Sequence, residues 1–70
     1  MHTMWILERA RDHKRVEFYS DLRDGKQTYI IRELGESQDS VTTDAEVVRD
    51  FRQRLLHDGY MQAPVQVPGT

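Results

Sequence analysis

Seventy residues make one domain, and a chain this short buries only about 60% of its unfolded surface, so its core must be thin. A formal net charge of −2 supplies no global cationic field for nucleic acid, and the lack of cysteine excludes disulfides and thiolate metal sites. No apolar run exceeds four residues, so neither a membrane span nor a signal segment is expected, and a cytoplasmic protein is the default.

Residues 4–8, from Met4 to Glu8, are aromatic and β-branched enough for a first strand. The polar run 9–15 carries a turn, placed around Asp12 and His13. Residues 15–20 alternate polar and apolar side chains and form a second strand. Asp24-Gly25 is the strongest hairpin signal in the chain, because a type I′ turn needs positive φ at both central residues. The third strand then runs over 27–34.

With Asp24 and Gly25 as a two-residue loop, pairing counts outward from Arg23 opposite Lys26. Ser20 then meets Tyr29, Tyr19 meets Ile30, Phe18 meets Ile31 and Glu17 meets Arg32. Opposite charges across the last pair favour this register, while Arg23 beside Lys26 is a mild point against it. One face carries Val16, Phe18, Tyr29 and Ile31, joined by Trp5 and Leu7, and should receive a helix. The other carries Glu17, Tyr19, Ile30 and Arg32, with Ile6 beside them. A slip of one residue would exchange the two faces.

Residues 35–42 read as loop, and the stretch from Glu33 to Asp50 holds six acids against one base. A helix is expected over 43–60. Thr43 and Glu46 fit a capping box, and Gly59 followed by Tyr60 fits a Schellman ending against Leu55. Val47, Val48, Phe51 and Leu55 recur at helical spacing, flanked by Ala45 and Leu56, which gives a broad apolar stripe. Arg52 falls inside that arc and is expected to snorkel towards Glu33. Residues 61–70 contain Pro64, Pro68 and Gly69 and read as a flexible tail, with Val65, Gln66 and Val67 as its one candidate edge strand. The fold class is α+β: a three-stranded antiparallel meander (βββ) packed on one C-terminal α-helix in two layers, residues 1–60, plus the tail.

Catalysis needs a poised group backed by a second one. His2, His13 and His57 lie at the N-terminus, in a turn and on the polar helix face, at no spacing that makes a dyad or a metal site. No enzyme activity, cofactor, metal or small-molecule substrate is therefore expected. Two surfaces stand out. Ile6, Tyr19 and Ile30 at the centre of the helix-free face, rimmed by Glu17 and Arg32, have the apolar centre and charged rim of a protein-binding or homodimer surface. Arg9, Arg11, His13, Lys14 and Arg15 make a basic hairpin tip suited to nucleic-acid phosphates or guanine edges, the second reading. Three strands followed by a helix also resembles the layout of integrase-type arm-binding and AP2-type DNA-binding domains. The likeness is one of layout without a residue motif, and fold does not fix function.

Overall fold

The structure is a computed structural model that describes residues 1–64, so the candidate strand at Val65, Gln66 and Val67 lies outside the described residues. Three long strands, β1 (His2–Arg9), β2 (Lys14–Arg23) and β3 (Lys26–Glu33), form the meander. They are followed by β4 (Ser40–Thr42), helix α1 (Ala45–His57) and β5 (Met61–Ala63). All pairings are antiparallel, in the order β4-β3-β2-β1-β5. The α+β meander with one C-terminal helix is thus present, in a sheet two strands wider than the sequence suggested.

The hairpin signals explain the long strands. Asp24 and Gly25 have φ of 51° and 74°, the positive values a type I′ turn requires. Arg23 faces Lys26, Tyr19 faces Ile30 and Glu17 faces Arg32, the register counted from the sequence. Asp21 takes up the charge of Arg23 beside the turn, at 3.2 Å. The β1–β2 loop spans residues 10–13, with His13 at φ 57°. Arg9 closes that loop by donating to both carboxylate oxygens of Asp12 at 3.0 and 2.8 Å, which replaces the glycine the turn lacks. A register shift between Thr3 and Trp5 marks a bulge in β1. Because of it Thr3 pairs with Tyr19 on one face while Trp5 and Leu7 pair with Phe18 and Val16 on the other.

The core lies between that second face and α1. Leu7, Phe18 and Val48 are fully buried, with Val16, Ile31, Leu55 and Tyr60 around them. Trp5 meets Phe18 edge-on at 5.6 Å between ring centres, and Phe51 lies 5.9 Å from Phe18 on the helix side. The helix touches the sheet through a narrower stripe than its sequence suggested. Val48 and Leu55 are buried, but Val47 is 49% exposed. At about 100° per residue Val47 sits a quarter-turn outside the arc centred on Val48 and Leu55.

Both ends of the helix are capped, one as expected. Gly59 has φ 92°, Tyr60 N–H donates to the Leu55 carbonyl at 3.0 Å and Gly59 N–H to Leu56 at 3.3 Å, a complete Schellman motif. At the start Asp44 caps the helix, not Thr43. Its carboxylate accepts from Glu46 N–H at 2.9 Å, and Thr42 Oγ1 in turn accepts from Asp44 N–H at 3.1 Å. Pairing of Thr42 with Tyr29 holds the chain extended up to that point and moves the cap one residue along. Asp44→Ala should therefore cost about 1 kcal/mol in urea unfolding, and Thr43→Ala less than about 0.5 kcal/mol. The reverse order would mean that Thr43 caps after all.

Residues 40–42 and 61–63 are the two segments that differ from the sequence reading of loop and tail. Val41 lies opposite Ile30, and Ala63 opposite Ile6. The Schellman turn reverses the chain at Gly59 and lays 61–63 against the free edge of β1. Arg52 holds that edge down. It donates to Gln62 Oε1 at 2.8 Å and stacks its guanidinium 4.8 Å above Trp5, so it reaches β5 and not Glu33.

Candidate interaction surface

Side chains alternate along each strand, so the register places every second residue on the helix-free face. Three cross-strand rows result. The first is Val41, Ile30, Tyr19 and Thr3; the second is Arg32, Glu17, Ile6 and Ala63. The third is Leu34, Arg15, Glu8 and Met61, with Leu34 joined to the ladder by its N–H donating to the Arg15 carbonyl at 2.9 Å.

Of the residues expected on this face, Ile6, Glu17, Tyr19, Ile30 and Arg32 all lie there, but they are not equally open. Ile30 is only 3% exposed although no helix covers it; Tyr19 and Val41 flank it in its row. Tyr19 is fixed above the sheet by two contacts. Its hydroxyl donates to Glu17 Oε1 at 2.8 Å, and the Arg32 guanidinium lies 5.4 Å from its ring centre. Glu17 and Arg32 face each other in register, yet each takes another partner. Arg15 Nε donates to Glu17 at 2.9 Å, while Arg32 grips both oxygens of Asp39 at 3.0 and 2.9 Å.

These contacts displace the titrations in directions set by their causes. The hydrogen bond from Tyr19 and then that from Arg15 hold the Glu17 carboxyl below the usual carboxylate range, against the burial that would raise it. Burial, then the bond to Glu17, pushes the Tyr19 hydroxyl up. The Arg32 guanidinium lowers Asp39 in the same way.

The apolar surface that remains open sits at the ends of the rows: Leu34 is 69% exposed, Val41 56% and Met61 75%. Two clefts open here. One of about 740 Å³ runs along the β1–β2 hairpin and β5, with Arg9, Arg11, His13, Lys14 and Arg15 in its walls beside Glu8, Leu34 and Met61. The other, about 280 Å³, lies between Arg15, Arg32 and Leu34. Sequence reasoning missed Val41 and Met61 because each belongs to a strand of three residues, too short to show a period. The only local signal was the β-branched run at Val41, Thr42 and Thr43.

No known protein family, curated protein or solved structure matches this chain.

The basic hairpin residues cluster, and Arg9 and Arg15 among them are engaged by the chain's own carboxylates. Arg9, besides gripping Asp12, donates to the Asp58 carboxylate at 2.6 Å and to the Asp58 carbonyl at 3.1 Å, and stacks 4.7 Å from the Tyr60 ring centre. It ties the hairpin to the end of α1. Arg15 bridges Glu8 and Glu17, and Arg11 lies 3.9 Å from Asp58. Among the described residues Lys14 and His13 form no ion pair. No group of three His, Asp or Glu among the described residues is placed to hold a metal ion, and no described helix is long and apolar enough to cross a membrane.

Proposed function

We propose that this chain is a non-enzymatic interaction module that docks protein through its helix-free sheet face. The observation that carries the reading is the exposure of Leu34, Val41 and Met61 around half-buried Ile6 and Tyr19, beside two clefts on a face that no described element covers. The open apolar side chains stand at the ends of the rows, with paired charges between them. Charges on this face already have partners, Arg15 with Glu8 and Glu17 and Arg32 with Asp39, so covering them strands no lone ion. The hairpin is the weaker candidate for nucleic acid, since Arg9 and Arg15 spend their donors on the chain's own carboxylates.

The test is site-specific photocrosslinking in the source cells with a benzophenone amino acid at position 34, 41 or 53. Gln53 is exposed on the helix and serves as the control. Protein adducts at 34, at 41 or at both, but not at 53, are expected. No adduct at 34 or 41, or equal labelling at 53, overturns the reading.

A further inference from the structure

We infer that the occupant of this face is a second copy of the chain, stacked sheet to sheet about a twofold axis that runs between β1 and β2 and parallel to them. The inference rests on the interaction-module reading and names its partner.

Its basis is the row Leu34, Arg15, Glu8, Met61. An ion pair of 2.8 Å occupies the middle of this row and an exposed apolar side chain stands at each end. Two-fold stacking requires one patch to complement itself. Turned about an axis through its midpoint, this row does so. Leu34 of one copy comes over Met61 of the other, and Arg15 of one comes over Glu8 of the other. The two ion pairs then form a four-charge array of alternating sign. In the next row the same operation sets Arg32 over Ala63 and Glu17 over Ile6, and Glu17 is already bound by Tyr19 and Arg15.

Area bounds the contact. The overlapping strands β1, β2, β3 and β5 hold 8, 10, 8 and 3 residues, and at ~3.3 Å along and ~4.8 Å across a strand they give a projected face on the order of 450 Å². A specific interface takes roughly 800 Å² from each partner, so this one is small and the association weak and transient. Each copy carries a net charge of −2, a weak repulsion that salt relieves while it also screens the four-charge array, so self-association should depend little on salt. Nucleic-acid binding by the hairpin would instead fall steeply as salt rises.

Sedimentation equilibrium on the full chain, from about 10 µM to about 1 mM, reads the outcome. A reversible monomer–dimer equilibrium is expected. Leu34→Glu and Met61→Glu, at positions more than two-thirds exposed, should each weaken the dimer roughly tenfold or more without lowering the thermal midpoint. Val47→Glu, exposed on the helix, should leave association unchanged. The double variant Leu34→Lys, Met61→Glu sets opposite charges across the axis and should restore dimerisation. A wild-type chain that stays monomeric throughout, single variants without effect, or a double variant no tighter than the singles each overturns the inference. In this twofold arrangement position 34 faces the second copy while 41, on β4, lies beyond its edge, so a two-chain adduct is expected at 34. Adducts of another mass would retain the docking face and reject the second copy, whereas no adduct at either position rejects both.

Discussion

Phe18→Ala should remove on the order of half of this domain's folding stability. Phe18 is 1% exposed on the central strand β2, between Trp5 on its neighbour and Phe51 on the helix, so it joins all the layers of the core. Truncating a buried Phe to Ala costs about 3–5 kcal/mol, from lost transfer energy and from the cavity left behind. A domain of this length has only roughly 4–10 kcal/mol of stability in total. Urea unfolding followed by circular dichroism should therefore show the midpoint moved to roughly half the wild-type urea concentration or lower. Val41→Ala, at a residue 56% exposed, should stay within about 0.5 kcal/mol of wild type. A near-native transition in Phe18→Ala would mean that the helix does not close the core through this ring.

Stability should fall at both ends of the pH range, and Tyr19 should connect the two. Glu17, Asp12, Asp21 and Asp39 all titrate lower in the folded chain than unfolded. Glu17 is held down first by Tyr19, and the three aspartates by Arg9, Arg23 and Arg32. Their contribution is therefore complete above about pH 5 and drains away as pH falls through the folded values, below about pH 4. Tyr19 is displaced upward, chiefly by burial. Its contribution is complete below about pH 10 and lost above it. Tyr19→Phe should abolish the alkaline decline and make the acid decline shallower, since Glu17 loses its principal donor but keeps Arg15. Urea midpoints measured from about pH 2.5 to about pH 11 decide it. An acid decline as steep in Tyr19→Phe as in wild type would show that Glu17 owes its low value to the arginines alone.

What could be read from the chain alone was whatever a few neighbouring residues encode together. Asp24 and Gly25 admit positive φ, so a two-residue turn set the register of β2 on β3, and alternation along those strands then divided their side chains between two faces. Gly59 and Tyr60 ended the helix for the same local reason. The cap was ambiguous locally, because Thr43 and Asp44 both carry a capping oxygen; pairing of Thr42 on β3 chose between them.

Contacts between residues far apart in the chain decided the rest. β4 and β5 are three residues each and acquire strand geometry only because β3 and β1 offer them unpaired edges. Those edges put Val41 and Met61 on the helix-free face, withdraw Ile30 from solvent and give Arg52 its partner in Gln62. The partners of Arg9 and Arg32 were likewise set by the fold, since a long flexible cation takes whichever carboxylate the chain brings within reach. Alternation could assign a residue to a face; only the folded neighbours could determine how much of it water still touches.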